Sequence, residues 1–241
     1  MLRWLPFLAL LAVGCQPAVF ARGTFVAEAP TPVIKANVYV EIGFFGVPLA
    51  GAQDVVFVLD RSGSMSGVAA GFAGEDVGMG KVSSALVGIG TSIVNAKSNA
   101  LPSKMEAAKE ELVRTLSVLP DGTRFMIIFF DDELAAFAPH MLALDPHVRA
   151  SAIAFVRSIR PGGSTAAVPA LRLAYKAGAQ RVILLSDGLA NNGGNGNDLL
   201  AEARAQMQYG VRFDTVGLGI DQDSSLMSAL AAESGGLAIK R

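Results

Sequence analysis

Long, continuous apolar runs constrain the fold of this chain more than any other feature. Val55–Leu59, Phe125–Phe130 and Val182–Leu185 contain no polar side chain at all. A strand with one face in water alternates apolar and polar residues, so these runs predict strands buried on both faces of a parallel sheet. Segments with helical spacing separate the runs. This alternation indicates an α/β fold with a doubly wound, mostly parallel central sheet flanked by helices.

The predicted helices rest on spacing and on end signals. Ser103 and Glu106 form a capping-box pattern, and Glu110 and Arg114 are spaced as a supporting i, i+4 pair. The inward face of this first helix is predicted to consist of Met105, Ala108, Leu112 and Leu116. Later helices are predicted at 148–159, after Thr165, from Asp198 and at 225–233; strands are predicted at 212–218 and 237–239, with a short antiparallel edge strand at 134–137.

The first apolar run ends abruptly in three polar residues. Asp60, Ser62 and Ser64 lie on a turn that contains Gly63. In open α/β sheets, ligands bind just beyond the carboxyl ends of the strands. One carboxylate and two hydroxyls are hard oxygen donors, which suit Mg²⁺, Mn²⁺ or Ca²⁺ better than zinc or copper. The turn therefore predicts a site for a divalent cation.

The segment Asp60–Ser64 resembles the Asp-x-Ser-x-Ser motif of the von Willebrand factor A family, in which it forms a metal-ion-dependent adhesion site. The family pattern also has a Thr after Gly-Gly and an Asp after a hydrophobic strand. Gly162-Gly163-Ser164-Thr165 resembles the threonine loop, and the strand that ends at Asp187 resembles the aspartate strand. Three elements in the family's order make a specific pattern. The resemblance covers about residues 52–241.

The resemblance implies a set of ligands and a way of binding. Ser62 and Ser64 would hold Mg²⁺, or Mn²⁺ or Ca²⁺, through their hydroxyls, and Thr165 would join them when a partner is bound. Asp60 and Asp187 resemble the family's acidic pair, which commonly holds the metal through water. One coordination position is then left for a carboxylate of the partner. The expected partner is a protein or an extracellular matrix component that presents an Asp or Glu side chain.

The amino-terminal segment predicts export. Residues 1–21 resemble a secretory signal, with Arg3 as the basic residue and Leu5–Val13 as an apolar core too short to span a bilayer. Cleavage after Ala21 and a lipoprotein-type cleavage before Cys15 both fit. The expected location is therefore the periplasm, the cell surface or the exterior, and membrane attachment is expected only through a lipid on Cys15.

Two further segments stand apart from the predicted fold. Residues 22–51 are predicted to form a linker with a short extra strand at 38–42. Residues 66–99 are rich in Gly and Ser and form an insertion beside the predicted metal turn, longer than ordinary loops. The insertion is predicted to be either a mobile or partly helical segment or a lid or recognition loop. Asp131 and Asp132 are interpreted as solvated turn residues without a role.

Composition and motifs narrow the function. A formal net charge of −1 and the lack of a basic run argue against nucleic-acid binding. Ser62 or Ser64 as a catalytic nucleophile would need a base, and no histidine lies in or beside the motif, so no enzyme is expected. The favoured function is an exported binding protein. The alternative is a scaffold or assembly subunit that works with an ATPase or a membrane complex.

Overall fold

The computed structural model describes residues 42–69, 102–188, 194–219 and 223–241. The strands are β1 (Gly43–Phe44), β2 (Val47–Pro48), β3 (Val55–Asp60), β4 (Arg124–Phe130), β5 (Leu134–Ala136), β6 (Leu142–Ala143), β7 (Arg181–Ser186), β8 (Arg212–Gly217) and β9 (Ala238–Lys240). The helices are α1 (Lys104–Val118), α2 (Pro146–Ser158), α3 (Ala167–Lys176), α4 (Gly196–Met207) and α5 (Ser224–Ser234). The predicted signal, most of the predicted linker and nearly all of the predicted insertion lie outside the described residues.

The central sheet has the strand order β5-β4-β3-β7-β8-β9. Strands β4, β3, β7, β8 and β9 are parallel, and β5 and β6 pair antiparallel with β4. The predicted doubly wound sheet and its antiparallel edge strand are thus confirmed, while β6 is a second antiparallel partner that the sequence did not indicate. The centre of the sheet is the run β4-β3-β7, whose apolar residues are buried on both faces.

Alternate residues of the central strands point into two separate cores. In β3, Phe57 and Leu59 face the core formed with α1 and α2, whereas Val56 and Val58 face the core formed with α3, α4 and α5. All four side chains are fully buried. This explains why the run is apolar at every position: neither face of the strand meets water.

The first helix has the predicted inward face but a different ion pair. Met105, Ala108, Leu112 and Leu116 are all fully buried, and the Ser103 side chain accepts a hydrogen bond from the Glu106 amide. The predicted pairing of Glu110 with Arg114 is wrong, because Arg114 pairs with Glu111 instead. Glu111 is held in place because its Oε1 also accepts the Phe45 amide at 2.7 Å.

A small hairpin precedes the sheet where the sequence predicted a linker. Strands β1 and β2 pair antiparallel, and Phe44, Val47 and Leu49 are buried in the core beside α1. Phe45 has a φ of 50° at the turn. Residues 42–49 are therefore part of the folded domain. The predicted strand at 38–42 falls mainly outside the described residues, and Ile42 itself is not in a strand.

No helix in the described part of the chain combines the length and the apolar character that crossing a bilayer would demand.

Candidate metal centre

The carboxyl ends of β3, β4 and β7 bring three polar segments to one rim of the sheet. Asp60 ends β3, Asp131 follows β4, and Asp187 follows β7. These strands are neighbours in the sheet with β3 in the middle. Because parallel strands end at the same edge, residues that are 123 positions apart, such as Ser64 and Asp187, come into contact.

The turn after β3 aims its two serines at one point. Residues Gly63–Ser66 form a single 3₁₀ turn. The Asp60 Oδ1 accepts the backbone N–H of Ser62 at 2.8 Å, which folds the chain back over the strand end. The Ser62 and Ser64 hydroxyl oxygens then lie 3.0 Å apart. The predicted pair of hydroxyl donors is therefore adjacent in space.

Asp60 lies beneath this turn and is completely buried. Its Oδ2 accepts the Ser186 hydroxyl at 2.7 Å, and its Oδ1 accepts the Ser62 amide. Burial raises the pKa of the Asp60 carboxyl, hydrogen bonds from Ser62 and Ser186 oppose that rise, and the nearby charge of Asp187 adds to it. The ionised form of Asp60 is thus held at a cost that a neighbouring cation would relieve.

The two carboxylate oxygens of Asp187 each accept a hydrogen bond, one from a hydroxyl and one from an ammonium group. The Ser64 hydroxyl donates to its Oδ1 at 2.7 Å, and the Lys104 ammonium donates to its Oδ2 at 2.8 Å. The Asp187 side chain has no solvent exposure, while that of Lys104 is 11% exposed. A continuous chain of hydrogen bonds therefore runs from Ser62 through Ser64 and Asp187 to Lys104.

The threonine loop is joined to the serine turn by backbone hydrogen bonds. Gly63 N–H donates to the Gly163 carbonyl at 3.0 Å, and Gly162 N–H donates to the Arg61 carbonyl at 2.8 Å. Thr165 follows two residues after Gly163 and is only 4% exposed. All five residues predicted as metal ligands thus belong to segments that meet on one rim. Four of them (Asp60, Ser62, Ser64 and Asp187) are joined by direct hydrogen bonds.

Asp131 and Asp132 have a role that the sequence interpretation missed. Asp131 is only 8% exposed, so the interpretation of that residue as solvated is wrong. Its Oδ1 accepts from Arg61 and from the Glu133 amide, both at 2.8 Å. Exposed Asp132 accepts both the backbone N–H and the hydroxyl of Ser164. The two carboxylates therefore tie the end of β4 to the serine turn and to the threonine loop.

A signal for these two aspartates was present in the sequence. They directly follow an apolar parallel strand, the same position that identified Asp60 and Asp187. Carboxyl ends of adjacent strands share one edge. Acidic residues after any of the central strands are therefore expected to lie near one another.

Lys104 is a third residue of the rim whose role the sequence interpretation missed, after Asp131 and Asp132. It is the first residue of α1, where a positive charge opposes the helix dipole and is locally unfavourable. Its side chain passes over Gly219, where an added Cβ would lie 3.0 Å from the Lys104 Cε. A lysine at such a position indicates a tertiary partner, and here that partner is Asp187.

The root of the predicted insertion lies beside this site. Val68 and Ser103 form an isolated antiparallel bridge. Ala69 N–H donates to the Pro102 carbonyl at 3.0 Å, and Lys104 N–H donates to the Gly67 carbonyl at 2.9 Å. The chain thus leaves the described fold at Ala69 and re-enters it directly alongside, next to Lys104.

The donors at the rim fit a hard divalent cation better than they fit copper or zinc. Among the described residues, no three His, Cys, Asp or Glu side chains gather as a metal-binding group. The rim instead offers neutral hydroxyls of Ser62 and Ser64 together with the carboxylates of Asp60 and Asp187. Mg²⁺ and Mn²⁺ are bound by oxygens of this kind and retain water in several positions. The residues present therefore fit such an ion.

Comparison with protein families gives one extended match. A sequence model of the von Willebrand factor type A domain matches residues 92–239. By sequence, no curated protein matches the chain.

Solved structures share the fold at low sequence identity. A von Willebrand factor type A structure from Catenulispora acidiphila is 21% identical with a TM-score of 0.57, covering 79% of this chain and 39% of its own. The conserved hypothetical protein BatB from Bacteroides thetaiotaomicron is 17% identical with a TM-score of 0.54, covering 79% and 90%. Proximal thread matrix protein 1 from the mussel byssus, with a zinc-occupied MIDAS motif, is 19% identical with a TM-score of 0.53, covering 78% and 41%. The chain thus spans about two fifths of the first and third of these proteins.

Proposed function

The chain belongs to the von Willebrand factor type A domain family, and we propose that it is an exported, non-enzymatic binding module with a metal-ion-dependent adhesion site. The site would consist of Asp60, Ser62, Ser64, Thr165 and Asp187. It would take Mg²⁺, with Mn²⁺ or Ca²⁺ as substitutes, and would capture an Asp or Glu side chain of a protein or matrix partner.

One observation carries this proposal. The Ser62 and Ser64 hydroxyls lie 3.0 Å apart, and the Ser64 hydroxyl lies 2.7 Å from the Asp187 carboxylate. Three oxygens from two different segments therefore converge on one small region of the rim. In an ordinary helix cap, the side chain of a serine or aspartate accepts a hydrogen bond from an amide of its own turn. The Ser64 hydroxyl instead donates a hydrogen bond to Asp187, which lies on a different segment.

The residues of the rim would have different roles in binding the ion and its ligand. A bound divalent cation would supply positive charge to an incoming carboxylate. Ser62 and Ser64 are neutral and would leave the charge of the ion to be balanced by Asp60 and Asp187. Asp60 is fixed by Ser62 and Ser186, so it can balance the ion without moving. Asp131 and Asp132 hold the threonine loop against the serine turn, which would keep Thr165 near the site.

A single carboxylate contact gives little affinity by itself, because both charges lose water on binding. The partner must also contact the surrounding surface. The chain segment between Ala69 and Pro102 leaves and re-enters the fold beside the site. We therefore propose that the residues between these two points contribute to the choice of partner.

Export and the lack of catalysis are parts of the same proposal. Export rests on the secretory pattern in residues 1–21. The non-enzymatic assignment rests on the sequence around the two serines, since a nucleophilic Ser62 or Ser64 would need a base and no histidine lies in or beside the motif.

Calorimetric titration with Mg²⁺ and Mn²⁺ tests the site. The full chain is expected to bind one ion, and Asp60→Ala is expected to reduce affinity at least about tenfold, because a buried charge opposite the ion is lost. The matched control is Asp121→Asn, which changes an aspartate whose side chain is 59% exposed and pairs with Arg149 rather than with a rim residue. If Asp60→Ala binds as tightly as the wild type, the site is assigned to the wrong residues.

A peptide array tests the partner chemistry. Peptides with a central Asp or Glu are compared with their Asn and Gln counterparts, with Mn²⁺ present and then chelated. Binding that requires both the carboxylate and the metal supports the proposed mode. Metal-independent capture, or equal capture of the amide peptides, contradicts it and favours the alternative of a scaffold or assembly subunit.

A further inference from the structure

A positive charge is already built into the proposed metal site. The Lys104 ammonium lies 2.8 Å from the Asp187 Oδ2, and the Ser64 hydroxyl occupies the other carboxylate oxygen at 2.7 Å. Both Lys104 and Asp187 are buried residues. The pair is therefore largely shielded from water, and its Coulomb attraction is less screened than that of a surface ion pair.

The fold makes a specific place for this lysine. Gly219 has a φ of +83°, and a Cβ there would approach the Lys104 Cε to 3.0 Å and the Nζ to 3.2 Å. The Lys104 amide is fixed by the Gly67 carbonyl at the root of the segment between Ala69 and Pro102. Gly219 thus leaves room for the lysine side chain, and the backbone hydrogen bond fixes the start of the helix from which that side chain extends.

We propose that Lys104 is the residue that sets the metal affinity of the site, acting as an internal cation that competes with the divalent ion for Asp187. This inference rests on the proposed function, since it concerns the same site. A divalent ion near Ser64 and Asp187 meets an ammonium that already balances one of the two carboxylates. Repulsion between the two cations lowers the affinity for metal alone.

The same repulsion favours an acidic partner. With Lys104 in place, a metal-loaded site carries more positive charge than Asp60 and Asp187 can balance. A carboxylate from a partner removes that excess, so the affinities for metal and for an acidic ligand are coupled. Lys104 thereby makes the metal bind weakly alone and firmly together with its ligand.

Two substitutions of Lys104 distinguish the effect of its charge from the effect of its size. Lys104→Met keeps the unbranched side chain up to the position of Cε and removes the charged group, and it is expected to bind Mn²⁺ at least about tenfold more tightly than the wild type. Lys104→Arg keeps the charge and is expected to bind Mn²⁺ as the wild type does. The matched control is Lys109→Met, because Lys109 is also a buried lysine of α1 but contacts Glu106 and the Ile159 carbonyl.

Mn²⁺ titration by calorimetry distinguishes the outcomes. Tighter binding by Lys104→Met alone supports the inference. Wild-type binding with unchanged or weaker affinity in Lys104→Met overturns the inference and leaves the metal site intact. Tighter binding by both Lys104→Met and Lys104→Arg also overturns it, since bulk rather than charge would then be responsible. Absence of binding in every variant overturns the proposed function together with the inference.

A second readout needs no substitution. If the divalent ion displaces the ammonium from Asp187, acylation of Lys104 by an amine-reactive reagent is expected to rise several-fold when Mn²⁺ is added, as measured by mass spectrometry. Lys109 serves as the internal reference within the same helix. Unchanged labelling of Lys104 under conditions in which calorimetry shows bound Mn²⁺ would contradict the competition.

Discussion

At the scale of single residues, Asp60 shows how binding and stability oppose each other. Its carboxyl is completely buried, and burial raises its pKa above the ordinary value of 3.8. The folded chain therefore holds this proton more tightly than the unfolded chain does. The ionised carboxylate destabilises the fold in the absence of a cation, and a divalent ion at the site would offset that cost.

This opposition predicts a pH effect. In the presence of chelator, the free energy of unfolding contributed by Asp60 should fall as pH rises from about 3.8 through the raised pKa of the folded state. Asp60→Asn removes the titration and keeps an acceptor for the Ser62 amide. Urea unfolding across pH 4 to 8 should therefore show that the variant's stability, relative to that of wild type, increases with pH over this window.

A second outcome of the urea experiment would contradict this prediction. A difference between Asp60→Asn and wild type that stays constant with pH would show that the Asp60 carboxyl is not destabilised by burial. In either case, Asp60→Asn should lose the stabilisation that Mn²⁺ gives to the wild type, because the neutral amide cannot balance the ion.

At the scale of elements, the site depends on how the threonine loop is fastened to the serine turn. Gly163 has a φ of +67°, and a Cβ at this residue would lie 2.8 Å from the Asp132 Oδ2. That oxygen belongs to the carboxylate that holds Ser164. Glycine is required here for two reasons, the left-handed backbone and the close approach of Asp132.

Gly163→Ala is accordingly predicted to destabilise the fold by about 1–2 kcal/mol and to weaken Mn²⁺ binding several-fold, although neither Gly163 nor Asp132 is a proposed ligand. Gly162→Ala is the matched control, since nothing lies within 4 Å of an added Cβ there. Thermal unfolding and calorimetry measure both effects. Equal behaviour of the two variants would show that the loop is not fastened through Asp132.

The elements also show what the sequence could predict and what it could not. The buried strands followed from their apolar runs, and the inward face of α1 followed from its helical spacing, because both depend on local periodicity. The hairpin of β1 and β2 did not, because each strand has only two residues and its turn places the non-glycine residue Phe45 at a positive φ. A linker and a packed hairpin of that length look alike in sequence.

Partners that are distant in sequence account for the other omissions at the site. Asp60, Ser62, Ser64, Thr165 and Asp187 could be proposed because each lies within a motif. The contact of Lys104 with Asp187 spans 83 residues, and that of Asp132 with Ser164 spans 32. The position of Asp132 after an apolar strand could have placed it at the rim, but no local pattern identifies the partner of Asp132 or of Lys104. These pairings depend on the strand order.

At the scale of the whole molecule, the residues that form the core and the residues of the proposed site are in different places. The two cores on either side of the sheet are formed by apolar residues that have no part in the proposed site. The polar residues of the rim are attached to the rigid ends of β3, β4 and β7. Such an arrangement holds ligands precise in position while the adjoining loops can vary, which is common among binding proteins.

The central claim is that Ser62, Ser64 and Asp187 hold a divalent ion at this rim. Crystals of the full chain grown with Mn²⁺ and measured at the manganese absorption edge test it most directly. We predict one strong anomalous peak within coordination distance of the Ser62 and Ser64 hydroxyls, with the ammonium of Lys104 moved away from Asp187. A well-ordered rim without such a peak, and with the hydrogen bond from Ser64 to Asp187 unchanged, would contradict the account.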